Sequence, residues 1–102
     1  MDRVIDLKTI VHDAVKGYQV PGLAGDSYFV GDDTQQVYAV VDVPHLPRKE
    51  PSTVAVMARI VGDIVVVVED LTDRPLYLEL MRAGVPREKI ITEYTGEKLP
   101  TP

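Results

Sequence analysis

The chain contains no cysteine. That excludes a disulfide framework, a thiol nucleophile and a thiolate metal site together, and it fits a reducing compartment. Histidine occurs only as His12 and His45, and neither has a second His or a Cys at ligand spacing, so no transition-metal site is expected. Serine is equally scarce. Ser27 and Ser52 stand outside any GxSxG elbow, which leaves nucleophilic catalysis without support. Gly22, Gly25 and Gly31 are too loosely spaced for a dinucleotide fingerprint and lead into a strand instead of a helix, so no cofactor is expected either.

A long apolar segment is also missing. The N-terminus, MDRVIDLK, carries Asp2, Arg3, Asp6 and Lys8 where a secretory signal needs an apolar core. The longest apolar run, Ile64 to Val68, is far too short to span a bilayer, and the sequence reads as cytoplasmic. Basic residues are outnumbered, 11 against 16 acidic, for a formal charge of −5. The overall field therefore opposes a phosphate backbone and favours a basic protein partner. Arg48 and Lys49, with Arg87 and Lys89, are the candidates for a local basic patch, although no aromatic or glycine-rich motif accompanies them.

What is present suffices for one core. A chain of 102 residues with 45% hydrophobic content closes a single domain, residues 1–102, without disulfides. Its centre is Thr53 to Asp70, TVAVMARIVGDIVVVVED, where two β-branched runs face each other across Gly62-Asp63. These side chains suit a pleated surface, and Gly62 supplies the positive φ of a tight reversal. The run Ile64 to Val68 is apolar at both parities, so this strand is expected to be buried on both sides, by the fold or by a second subunit. A homo-oligomer is the expectation.

Around that hairpin the pattern changes period. From Asp2 to Tyr18, Val4, Leu7, Val11, Ala14 or Val15, and Tyr18 recur at helical spacing, with Asp2 placed to cap and Gly17 to terminate. Residues 19–26 connect to a strand over Ser27 to Asp32, and Asp32-Asp33-Thr34 turns the chain into a second strand from Gln35 to Val43. Pro44, Pro47 and Pro51 make PHLPRKEP an extended surface loop. After the central hairpin, Thr72 or Asp73 is placed to cap a second helix, and Leu76, Tyr77, Leu80 and Met81 form its sheet-facing stripe. Gly84 ends that helix, and Ile90 to Tyr94 reads as a short strand reached by a right-handed crossover, parallel to a meander strand. The tail TGEKLPTP is expected to be frayed or a docking extension. The fold class is α+β: an N-terminal helix, an antiparallel four-stranded meander, a second helix and a short C-terminal strand, with the helices on one face of the sheet.

The residues that tempt a functional reading are few. Glu69, Asp70 and Asp73 lie where a strand gives way to a helix and could hold Mg²⁺ or exchange protons. Helix capping explains the same acids without chemistry, because the helix dipole favours negative charge at its start. His45, Arg48 and Lys49 in the proline loop, with Asp70, Asp73 and Arg87, are the candidate partner-contact residues.

The string VMARIVGDIVVVVEDLTDRPLYLELMRAGVPREKIITEYTGE, Val56 to Glu97, resembles the fdxN-element excision controlling factor family, the XisI-like proteins. The resemblance rests on the turn at Gly62-Asp63, on EDLTDRP, and on AGVPREKII followed by YTGE. Upstream, DDTQQVYAVVDV looks like the family's early meander, while the PHLPRKEP loop replaces a briefer connection. The resemblance implies a small non-enzymatic factor of cyanobacteria-like genomes, acting with a XisH-like companion of nuclease fold to control excision of a DNA element. It brings no catalytic residues. Two alternatives accompany it: direct DNA binding as an excision factor, and antitoxin-like inhibition of the nuclease partner.

Overall fold

The computed structural model describes residues 6–20 and 25–100. Helix α1 spans Leu7–Lys16 and is followed by four meander strands: β1 (Gly25–Asp32), β2 (Val37–Pro44), β3 (Thr53–Val61) and β4 (Ile64–Asp70). Helix α2 (Leu76–Arg82) and a 3₁₀ turn at Arg87–Lys89 lead to β5 (Ile90–Thr92), and a second 3₁₀ turn follows at Glu93–Thr95. The sheet order is β1-β2-β3-β4-β5; the first four strands pair antiparallel, and β5 lies parallel to β4. The expected meander and parallel last strand are therefore present, although the last strand ends at Thr92 and not at Tyr94.

Helix α1 is capped by Asp6. One carboxylate oxygen accepts the Thr9 amide at 3.3 Å and the other accepts the Thr9 hydroxyl at 2.8 Å. The expected contributions of Asp2 and Val4 lie outside the described residues. Val11 and Val15, one turn apart, are fully buried, as helical periodicity requires. Strand β1 starts earlier than expected, at Gly25, and β2 starts later, at Val37. The intervening turn explains the delay: Asp32 accepts the amides of Thr34 and Gln35, and Gln36 takes a φ of 57°. At the central turn Gly62 has a φ of 64°, the left-handed geometry for which glycine was expected.

The second helix departs from expectation in two ways. Neither Thr72 nor Asp73 caps it. Asp70, the last residue of β4, instead places one carboxylate oxygen on the Leu76 amide at 2.8 Å and the other on the Thr72 amide at 3.0 Å and hydroxyl at 2.6 Å. Pro75 occupies the cap position and has no side-chain oxygen to offer, so the acceptor comes from the preceding strand. Met81 is 40% exposed and not part of the sheet-facing stripe, because Leu76 and Leu80 already occupy the buried side of a seven-residue helix. The tail is also better anchored than expected: Glu97 accepts the Thr92 amide at 2.8 Å, and Thr95 donates to the Thr92 carbonyl at 2.9 Å. Thr101 and Pro102 lie outside the described residues.

One core cluster collects Val11 and Val15 from α1, Leu76 and Leu80 from α2, and Tyr38, Val40, Val56, Ala58, Val65, Val67 and Ile90 from the sheet. Each fully buried aliphatic side chain contributes about 1.5–3 kcal/mol of transfer free energy. Val66 is also fully buried and Ala39 nearly so, yet both stand outside this cluster, on strand positions of the opposite parity. The expectation that Ile64 to Val68 is buried at both parities therefore holds for Val65, Val66 and Val67. No described helix is long and apolar enough to cross a membrane.

Candidate functional site

Antiparallel pairing decides which loops meet. With Gly25 opposite Pro44 and Asp42 opposite Thr53, the start of β1, the end of β2 and the start of β3 converge at one end of the sheet. The approach of β1 to β2 is tight there: a Cβ on Gly25 would lie 2.5 Å from the Val43 carbonyl oxygen. The proline loop, residues 45–52, projects from this end and contains a cis Leu46-Pro47 peptide. His45 reaches back to β1, its Nε2 lying 3.4 Å from an Asp26 carboxylate oxygen, with both side chains mostly exposed.

An open cleft of about 560 Å³ lies beneath the loop, with Val20, Asp26, Asp42, Glu50, Pro51 and Thr53 among its walls. Three of these residues are acids, and no Lys or Arg belongs to the lining. These acids attract a cationic side chain, while the rest of the lining is largely apolar. Sequence reasoning missed Asp26, Asp42 and Glu50. The signal that could have found them is the register of the first hairpin, which follows from the Asp32–Gln36 turn and places Ser27 opposite Asp42.

The six residues singled out from sequence do not form one site. His45, Arg48 and Lys49 lie together on the exposed loop, and Arg48 donates to the Ser52 hydroxyl at 3.3 Å. Asp70 is buried and committed to the start of α2, while Asp73 is exposed beside it. Arg87 is at the opposite end, because β4 and β5 run parallel and both begin there. Its guanidinium donates to the Ile90 carbonyl at 2.7 Å and to Glu97 at 3.1 Å, and lies 5.4 Å from the Tyr77 ring centre. Lys89 is likewise occupied, 2.6 Å from Asp63, an ion pair that lowers the Asp63 pKa and raises that of Lys89. The two basic pairs therefore share no patch, and the second is largely neutralised.

The acidic trio read from sequence also separates. Asp70 pairs with Val56 of the core, whereas Glu69 pairs with Met57 across an irregular register. Among the described residues no group of three or more His, Cys, Asp or Glu is arranged to hold a metal ion. His12 packs its ring edge-on against Phe29, 4.8 Å between centres, with Nδ1 3.1 Å from Asp13. Tyr38 is the most perturbed phenol: burial, then its hydrogen bond to Asp33 at 2.8 Å, pushes its pKa up to about 12.

Comparison with known proteins agrees with this architecture. A crystal structure of a XisI-like protein from Anabaena variabilis superimposes with a TM-score of 0.79 at 19% identity, covering 96% of this chain and all of that one. The fdxN element excision controlling factor XisI from the same organism gives 0.70 at 18% identity, covering 86% of this chain and 88% of its own. At such identities the likeness concerns the fold. A search of the curated proteins finds no match. The family model described as XisI protein matches residues 1–99, and the chain belongs to the XisI family.

Proposed function

We propose that this protein is a non-enzymatic accessory factor in the control of DNA-element excision, and that it works by associating with a basic protein partner, a XisH-like protein of nuclease fold. The observation that carries the reading is the acidic cleft of Asp26, Asp42 and Glu50 beneath the projecting proline loop. The excision controlling role stated for the Anabaena variabilis XisI supports it, as does membership of the XisI family. Complementary charge increases the rate of encounter and selects the partner, and the −5 chain charge acts in the same direction. In such a pair the factor covers the surface with which the partner handles DNA, which makes the association regulatory.

Co-purification of the chain with the XisH-like protein at low and high salt tests this. Association should be strong at low ionic strength and weaken as salt rises, and Asp42→Lys with Glu50→Lys should weaken it at least tenfold. Absence of association at low salt overturns the proposal. Binding of duplex DNA by the isolated chain, with affinity falling steeply in salt, would replace it with the direct excision-factor reading.

A further inference from the structure

The sheet ends in an open edge. Strand order puts β1 outermost, paired among the described residues with β2 alone. The Ile60 amide donates to the Gln36 carbonyl, so the even-numbered residues of β2 turn their backbone groups to β3 and the odd-numbered ones turn theirs to β1. With Tyr28 opposite Val41 and Val30 opposite Ala39, the even-numbered residues of β1 bond to β2, and Ser27, Phe29 and Gly31 direct their N–H and C=O groups outward. The Ser27 carbonyl accepts the exposed Gln19 side chain at 3.1 Å, in agreement with this alternation. Among the described residues the outward groups of Phe29 and Gly31 have no hydrogen-bond partner.

Nothing in β1 blunts this edge. Its sequence, GDSYFVGD, has neither lysine nor proline, and its pairing with β2 runs through eight residues without a bulge. Asp26, Tyr28, Val30 and Asp32 share one face of the strand and are all exposed, Tyr28 to 51% and Val30 to 56%. Toward an added strand these four occupy non-hydrogen-bonded positions, where side chains across the gap come closest. Two acids thus bracket two apolar side chains. His45 lies 3.4 Å from Asp26, and among the described residues no lysine or arginine pairs with Asp26 or Asp32; Arg59, on β3, is taken up by Glu93 at 3.7 Å.

We infer that this edge holds an extended segment of a partner protein, added as a sixth strand antiparallel to β1, with a Lys or Arg opposite each of Asp26 and Asp32 and apolar side chains opposite Tyr28 and Val30. The inference rests on the reading of a basic protein partner, and it gives that partner's segment a pattern: basic, apolar, apolar, basic at alternate positions. β1 also leads into the acidic cleft, which Gly25, Asp26 and Ser27 help to line, so one segment reaches both. Charge selects such a segment over a second copy of the chain. Antiparallel pairing of two β1 edges sets odd residue against odd residue, and in the registers that join the middles of the strands it places Asp26 against Asp32, or one of these acids against Tyr28 or Val30 of the other copy. The −5 charge of each copy adds to that opposition, whereas the basic segment meets a complement at every position.

The probe is the synthetic peptide KTVTVTK, titrated to millimolar concentration into the isolated, isotope-labelled full chain, with amide hydrogen exchange followed by NMR. The Phe29 and Gly31 amides should exchange rapidly in the free chain and at least tenfold more slowly with the peptide bound. The acid-flanked peptide ETVTVTE should not bind. Val30→Lys should weaken binding of KTVTVTK at least tenfold with the far-ultraviolet circular dichroism unchanged, and Leu71→Lys, an equal charge change at an exposed position beyond β4, should leave it within twofold. Absence of peptide binding overturns the inference, as does equal binding of ETVTVTE. Binding without slowed exchange at Phe29 and Gly31 also overturns it, since that pattern belongs to docking on the face of the sheet. Slow exchange of both amides in the free chain overturns it too, and assigns the edge to a second copy where the protection grows with chain concentration. Because the probe is a peptide, the two readings separate: binding of KTVTVTK without association of the XisH-like protein upholds the edge and removes that partner, and the reverse result overturns the edge alone.

Discussion

Asp70 accepts the amide of Leu76 at 2.8 Å, so the last residue of β4 fixes the first residue of α2. The helix therefore starts where the strand ends, and its two buried leucines are delivered to the core by a carboxylate six positions upstream. Asp70→Ala leaves the Leu76 amide, which is buried, without its partner, and releases Thr72 as well. A stability loss of about 2–4 kcal/mol is expected from unfolding in urea. Thr72→Ala and Asp73→Ala should cost less than half of that.

Tyr38 makes stability depend on alkaline pH. Its folded pKa is about 12, above the ordinary tyrosine value, because burial and Asp33 both oppose the phenolate. A group whose folded value is raised contributes fully below its unfolded pKa and loses that contribution as pH rises towards the folded one. Thermal stability should therefore fall between about pH 10 and 12. Burial also raises the pKa values of Tyr18 and Tyr94, so absorbance at 295 nm should show Tyr38 as the last of the late-titrating tyrosines, and Tyr38→Phe should remove that final step.

At acid pH the sign reverses. Asp32 has a lowered pKa, chiefly through the amides of Gln35 and Thr34, and Glu97 is lowered chiefly by the Thr92 amide. Depressed carboxylates contribute above their unfolded pKa and lose that contribution as pH falls through the folded one. The melting temperature should therefore decline below about pH 4. Asp32→Asn keeps an acceptor for the turn but cannot ionise, so its melting curve should depend less steeply on pH over that range.

Local chemistry accounts for what the sequence made legible. The β3–β4 hairpin was readable because β-branched residues flank a glycine that the turn requires at positive φ, and both signals lie within a few positions of each other. The end of α2 near Gly84, with φ 109°, is readable for the same reason. The cap of α2 was not, since Thr72 and Asp73 are reasonable capping residues and only the irregular β3–β4 register brings Asp70 beside Val56 and the start of the helix. The cleft of Asp26, Asp42 and Glu50 was hidden because its members come from two strands and a loop, and only strand pairing unites them. Arg48 and Arg87 look alike in composition, but the parallel placement of β5 puts them at opposite ends of the sheet.

That separation gives the two arginines different consequences on mutation. Arg87 holds the Ile90 carbonyl, Glu97 and the face of Tyr77, so it ties the turn before β5 to the C-terminal tail and to α2. Its hydrogen bond to the carbonyl is partly buried and charge-assisted, and Arg87→Ala should destabilise the fold by about 1–2 kcal/mol. For a domain of this size that is a fall in melting temperature of roughly 4–16 °C. Arg48 has one exposed contact, to Ser52, and Arg48→Ala should leave the melting temperature unchanged within about 2 °C. If the proline loop touches the partner, Arg48→Ala alters the affinity of the complex while Arg87→Ala alters only the stability of the free chain. Scanning calorimetry and titration calorimetry on the same two variants separate these effects. The reverse pattern would move the partner surface to the β5 end of the sheet.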